Sequence, residues 1–255
     1  MIKVLLPAFM LLTALFDAKA SDAGPDAVKS PDPRFRVGEV LFRDDFRSGL
    51  DQWVSELEKP GKISAEKGTL DLDVPAGCTL WFKPLLTGPV MIEYQATVIK
   101  AGGVNDRVSD LNCFWMAQDK RSPPDLFATP RTGLFGDYDQ LLCYYVGLGG
   151  NGNTTTRFRR YIGEKNDRPL LPENDLRAAA DLLVPNVTQT LRAVACGSLI
   201  QFYRDGHRLF ELNDPAPYTN GRFAFRTVDS HIQFSSFSVY RLYPLDPAPP
   251  GLSPK

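Results

Sequence analysis

Apolar and polar residues alternate with a period of two along most of the chain, in short runs separated by turn residues. The runs are VLFRDDF, GTLDLDV, CTLWFK, VMIEYQATVI, LNCFWMA, LLCYYVGL, TRFRRYI, TQTLRAVAC, LIQFYRDG, RLFEL, GRFAFRTV and IQFSSFSVYRL. They are rich in β-branched and aromatic residues, with Gly, Pro, Asn or Asp between them. A series of short strands like this, over residues 37–243, predicts an all-β chain folded as one two-sheet antiparallel β-sandwich or jelly roll. The clearest hairpin is IQFYRDGHRLFEL, where Asp205-Gly206 supplies the positive-φ turn. One short helix is predicted over DLRAAADLL (175–183).

The alternation also sorts faces. Phe223 and Phe225 point to the core, which turns Arg222, Ala224 and Arg226 away from it. Ile232 and Phe234 share a face, but Phe237 and Val239 are out of phase with them. A bulge near Ser235-Ser236 brings both pairs to the core and leaves His231 and Gln233 facing away. LNCFWMA and LLCYYVGL are apolar on both faces, so they read as central strands whose second face is covered or concave. In TRFRRYI, Arg157, Arg159 and Tyr161 fall on one face and Phe158 and Ile162 on the other.

The two ends read differently. Lys3, the apolar stretch Val4–Phe16 and Ala18-Lys19-Ala20 have the form of an export signal over residues 1–20, cleaved before Ser21. A polar, flexible lead is expected over 21–36. The proline-rich 244–255 is expected to be a loose tail. The expected destination is therefore secreted or periplasmic. No later apolar run is long enough to span a bilayer. The formal net charge of -1 excludes a broad basic face for nucleic acid. Cys78, Cys113, Cys143 and Cys196 sit in strand-like runs without a C-x-x-C pair, which favours free buried thiols over disulfides or zinc.

The densest unusual segment is YYVGLGGNGNTTTRFRRYIG (144–163). It carries four glycines, Asn151, Asn153, three threonines and three arginines, but it lacks the spacing and lysine of a phosphate-binding loop. Arg157 and Arg159 on one strand face repel unless an anion separates them. That anion is either a protein carboxylate or an acidic ligand such as a uronate, whose carboxylate suits the planar guanidinium fork. His231, with Arg226 and Asp229 near it in sequence, is either structural or a catalytic base. Tyr145 is a second candidate for moving a proton. Trp81 and Tyr161 are either core or stacking surfaces for sugar rings. Asp44-Asp45 are the residues that a structural calcium would use. No other cofactor is expected.

The order GTLDLDV, CTLWFK, VMIEYQATVI, then IQFYRDGHRLFEL, GRFAFRTV and IQFSSFSVYRL resembles the concanavalin A-like lectin/glucanase jelly roll over about residues 40–243. DLNCFWMAQD, RTGLFGDYD, YYVGLGGNGNTTTRFRRY and FRTVDSH are similar to blocks of uncharacterised secreted bacterial proteins related to polysaccharide-degradation and 3-keto-disaccharide hydrolase-like domains. The E-x-D-x-x-E triad of laminarinase-type relatives is missing. The resemblance implies a carbohydrate partner. Two functions are expected from it: cleavage of a polysaccharide or oligosaccharide as hydrolase or uronate lyase, or non-catalytic glycan binding. On either, Trp81, Asn151, Asn153, Arg157, Arg159, Tyr161 and Arg226 are the expected glycan contacts; for cleavage, His231 and Tyr145 are the expected catalytic groups.

Overall fold

The computed structural model describes residues 28–123 and 125–245. The expected export signal, residues 21–27 of the lead, and residues 246–255 of the tail lie outside the described residues. Fourteen strands follow one another: β1 (Phe35–Asp44), β2 (Trp53–Leu57), β3 (Lys62–Glu66), β4 (Thr69–Phe82), β5 (Leu86–Thr87), β6 (Val90–Val98), β7 (Leu111–Asp119), β8 (Leu141–Gly149), β9 (Thr155–Ile162), β10 (Asp175–Leu176), β11 (Gln189–Cys196), β12 (Leu199–Arg204), β13 (His207–Asn213) and β14 (Asn220–Pro244). All pairings between them are antiparallel.

Two strands are long enough to run through both layers of the sandwich. The first part of β14 lies between β7 and the second half of β4, in the order β10-β9-β8-β7-β14-β4-β2. Its second part lies against β6, in the order β13-β12-β11-β6-β14, with β1 and the first half of β4 on its far side. The change of layer occurs at Asp229, whose φ is 46°, where the β4 register jumps between Val228 and Ser230. Pro75 occupies the skipped stretch of β4, where no ladder N–H is required. Strands that turn corners by bulging in this way fold one sheet back on itself as a jelly roll.

The core lies between the layers. Phe223, Phe225, Phe234 and Phe237 all belong to it, as alternation with a bulge requires. The bulge is present: Phe234 pairs with Ala96 and Ser236 with Gln95, so Ser235 is the extra residue. Phe225 stacks on Phe234 at 3.9 Å between centroids and also meets Trp53, Tyr94, Phe223 and Phe237. The hairpin turns at Asp205 (φ 50°) and Gly206 (φ 80°). The four cysteines are buried and unpaired.

Two local expectations are corrected. Residues 175–183 form no α-helix: Asp175–Leu176 pair with β9 and Ala179–Asp181 make one 3-10 turn. Nine residues gain little from helical propagation, and Arg157 draws Asp175 to the sheet edge. The described part of the lead, 28–36, is also held in place. Asp32 is buried, accepting from Arg34 and Gln201, and Phe35 sits in an apolar cluster with Tyr203 and Leu242. Among the described residues, no helix is long and apolar enough to cross a membrane.

Phe225→Ala removes a ring with five aromatic neighbours and should cost about 3–5 kcal/mol in denaturant melts. A loss below about 1 kcal/mol would contradict its central place in the core.

Candidate functional site

The layer containing β7, β8 and β9 turns one face to the core and the other outward. That outward face is itself apolar, with Trp81, Phe114, Cys143, Tyr145, Tyr161 and Ala224 all buried. What buries them is the connection between β7 and β8, residues 120–140, which lies across the face as a roof. Leu126 and Tyr138 of the roof pack into this second cluster, with Phe127 and Phe135 at its margin. The Tyr138 ring stacks on Phe114 at 5.5 Å, and Phe114 on Trp81 at 5.8 Å.

Polar groups bolt the roof down. Arg131, whose side chain is fully buried, spans Glu56 on β2 and Asp119 at the end of β7, each at 2.9 Å. It also donates to the Leu126 carbonyl. Glu56 in turn accepts from the Trp81 indole at 2.9 Å and from the Tyr138 hydroxyl at 2.8 Å. Burial would raise the Asp119 pKa, but hydrogen bonds from Arg121 and the charge of Arg131 lower it. Arg226 donates to the Gly133 carbonyl at 2.6 Å and to Thr79 at 3.0 Å. Gly133 has φ 87°, and a Cβ there would lie 2.3 Å from the Glu58 nitrogen, so the roof approaches β2 closely only as glycine.

The roof leaves one end of the face open. There a cleft of about 390 Å³ is lined by Asp110, Phe135, Tyr145, Gly147, Gly150, Asn151, Thr155, Arg157, Arg159, Asn166 and Arg168. Its floor follows from register. Asn112 of β7, Gly147 of β8 and Arg157 of β9 are cross-strand neighbours. Gly147 leaves the central position bare, and the Tyr145 hydroxyl leans over it, 3.1 Å from where a Cβ would be. Two strand spacings put the walls about 10 Å apart backbone to backbone. A Gly147 floor between an arginine wall and the Asp110 side thus has the breadth of a single sugar ring.

The arginine wall is unequal. Arg157 forms a two-pronged pair with Asp175, at 2.9 and 3.1 Å. Arg168 pairs with Asp139 at 3.2 Å and covers the Phe135 ring. Arg159 donates to the Arg168 carbonyl and has no carboxylate partner among the described residues. Burial lowers its pKa from the ordinary value, and the neighbouring charges of Arg157 and Arg168 add to this, although a guanidinium stays protonated. The opposite wall carries Asp110, and Asn151 donates to Thr155 at 3.1 Å.

The structure therefore gathers Tyr145, Asn151, Arg157 and Arg159 in one cleft and places the other expected site residues elsewhere. Trp81 is buried under the roof with its indole nitrogen on Glu56, so it offers no face to a sugar. Tyr161 is buried in the same layer, and Arg226 is spent on the roof. The Asn153 amide exchanges both hydrogen bonds with the Leu183 backbone. His231 lies on the outer face of the other layer, since its neighbour Ile232 fills the core. Its two ring nitrogens meet Asp71 and Asp106, each at 2.9 Å. Asp44 uses its oxygens for the Phe46 amide and the Trp53 indole. Among the described residues, no group of three or more His, Cys, Asp or Glu is placed to hold a metal ion.

Asp110, Asn166 and Arg168 were not singled out by the sequence. All three sit in loops or at strand starts, where period-two patterning carries no information. The assembled cleft can bind an anion through Arg159 and hydroxyl groups through its amides and Asp110. Burial holds the Tyr145 pKa well above its ordinary value, so this hydroxyl keeps its proton at neutral pH and can donate a hydrogen bond.

Comparison with known proteins places this geometry in a family. The chain belongs to the family described as Domain of unknown function (DUF6250), whose model matches residues 72–237. No curated protein sequence matches it. Among solved structures it is similar to a Bacillus subtilis protein of unknown function with a galectin-like fold, at 17% identity and TM-score 0.64, over 83% of this chain and 100% of that one. It is similar to the carbohydrate binding module CBM66 of Bacillus subtilis, at 11% identity and TM-score 0.51, over 75% and 96%. It is also similar to β-agarase A of Zobellia galactanivorans, at 11% identity and TM-score 0.54, over 87% and 98%. These likenesses establish the jelly-roll fold.

Two predictions test the geometry. Arg131→Met strands Glu56 without a cation, leaves Asp119 with Arg121 alone, and should cost about 3–5 kcal/mol. Limited proteolysis should then cut first within residues 120–140, and an unchanged melt with an uncut roof would contradict the bolt. For His231, burial lowers the pKa, but the hydrogen bonds and charges of Asp71 and Asp106 outweigh it and raise the pKa overall. A raised folded pKa gives stability that is complete below the unfolded value of about 6.5 and fades as pH rises through the folded value. His231→Gln should therefore destabilise more at pH 5.5 than at pH 9. An equal loss at both would contradict the carboxylate clamp.

Proposed function

We propose that this protein binds a carbohydrate carrying an acidic group through the cleft beside the roof. The observation that carries this reading is Arg159, a half-buried guanidinium in a cleft of sugar-ring breadth with no carboxylate among the described residues to neutralise it. Keeping a cation partly desolvated without a counter-anion is costly, and a ligand carboxylate or sulfate removes that cost through charge-assisted hydrogen bonds. Gly147 at the floor and Asn151, Thr155 and Asn166 around it add short polar groups suited to hydroxyls. Jelly-roll neighbours that include a carbohydrate binding module and an agarase support a carbohydrate ligand. A glycan ligand also agrees with residues 1–20 acting as an export signal and with action outside the cytoplasm.

Binding is favoured over hydrolysis by the cleft's composition. Hydrolysis of a glycosidic bond ordinarily uses two carboxyl groups across the bond, and the lining carries one, Asp110. Elimination from a uronate is the second reading. It rests on Tyr145, whose hydroxyl leans over the Gly147 floor of the cleft, where an elimination would need a proton-carrying group. His231 is not among the residues that line the cleft, and its two ring nitrogens are taken by Asp71 and Asp106.

Titration calorimetry with oligogalacturonate and with a neutral oligosaccharide of equal length tests the proposal. Wild type should bind the acidic ligand more tightly, and Arg159→Gln should weaken that binding about ten-fold or more. Equal binding by wild type and the folded variant would overturn it. Absorbance of new unsaturated ends in the same mixture would add cleavage to binding.

A further inference from the structure

The arginine wall accounts for an acidic group but not for the carboxylate that faces it. Asp110 is held rigidly. Its Oδ2 accepts from Arg107 at 2.8 Å and from Ser109 at 2.5 Å. Its backbone amide donates to the Gly149 carbonyl, and its φ is 60°, a left-handed conformation uncommon for a residue other than glycine. Arg107 is itself anchored on the Val228 and Asp229 carbonyls at the bend of β14. The Ser109 oxygen in turn accepts from the Gly152 amide at 3.2 Å, which fixes it beside Asp110. The Oδ1 oxygen is different: among the described residues its one donor is Asn112, at 3.4 Å, too long for a strong bond. A strained and doubly anchored carboxylate with one oxygen left to the cleft is an acceptor kept for something.

We propose that Asp110 is the specificity residue of the cleft, accepting from a free hydroxyl of the bound sugar while Arg159 takes that sugar's carboxylate. This rests on the acidic-carbohydrate reading above and narrows its substrate class to a uronic acid with an unmodified neighbouring hydroxyl. A sugar whose hydroxyls are esterified by sulfate presents acceptors and negative charge to Asp110, and both are repelled. A cleft that offers a cation on one wall and an anionic acceptor on the other selects one acidic group flanked by donors, not a high density of charge.

The geometry also foretells how Asp110→Asn behaves. Arg107 and Ser109 are donors, so they hold the new amide's oxygen on their side and turn its NH2 into the cleft. The position changes from acceptor to donor with little change of shape. The experiment is calorimetric titration of wild type, Asp110→Asn, Asp110→Glu and Arg159→Gln, each checked for folding by near-ultraviolet circular dichroism. The probes are oligogalacturonate and a sulfated oligogalactan of equal length. Wild type should prefer the uronate. Asp110→Asn should lose about ten-fold in uronate binding and gain in binding of the sulfated chain, whereas Arg159→Gln should lose both ligands. If Asp110→Asn and Asp110→Glu both keep wild-type uronate affinity and selectivity while Arg159→Gln loses binding, the role of Asp110 is overturned and the acidic-carbohydrate reading stands. If wild type binds neither probe, or Arg159→Gln binds both as wild type does, that reading falls and the role of Asp110 with it.

Discussion

One buried ion network decides what this jelly roll can do: Arg131 between Glu56 and Asp119, with the Trp81 indole and Tyr138 hydroxyl on the same glutamate. Removing Arg131 leaves Glu56 without a cation at low dielectric, where the penalty is several kcal/mol, while Asp119 keeps Arg121. The network therefore holds the segment 120–140 down on the outward face of the sheet. It does so across three places in the chain, β2, the end of β7 and the roof itself, so that closing the roof and completing the layer are one event. A wholly apolar interface would be as stable or more so. The ionic arrangement instead ties the roof to one position.

That position explains both the aromatics and the opening. Trp81, Phe114, Tyr145 and Tyr161 would make an open, sticky platform on a bare sheet; under the roof they form a second core. The roof stops short of the end of β8, where Gly147 interrupts the aromatic surface and the walls pass from rings to Arg157, Arg159 and Asp110. The hollow at the roof's other margin, lined by Val54, Lys83 and Phe127, is largely apolar; the cleft is thus the polar part of what the roof leaves uncovered. Its polarity follows from where the roof ends, and its size from one glycine between two strands. Asp139 and Asp175 neutralise two of its three arginines, which isolates Arg159 as the group whose charge is available.

Much of this was legible in the sequence, and the boundary of what was not is physical. Period-two alternation identified the strands, the core phenylalanines and the bulge at Ser235, because each depends on nearest neighbours along one strand. The doubly apolar runs around Trp115 and Tyr144 also announced a covered second face. What covers it could not be read. The roof has no periodicity, and Glu56 and Arg131 are 75 residues apart in sequence. The arginine pair was visible as a pair, but which of the two carries a protein partner depends on Asp175 reaching β9. Trp81 and Arg226 lie on the outward face as their alternation implies, and the roof turns them from ligand contacts into structure. His231 was drawn toward the site by its chemistry, yet a bulge and a change of layer at Asp229 separate it from the cleft.

The central claim is that a ligand enters at the end of the roof and nowhere else on that face. Backbone amide shift mapping by NMR, during titration with oligogalacturonate, tests it most directly. The account predicts perturbations concentrated at Gly147, Gly150, Asn151, Arg159 and Asp110. Shifts centred instead on Lys83, Phe127 and Thr129 at the roof's other margin, or on Asp71 and His231 of the opposite layer, would contradict it.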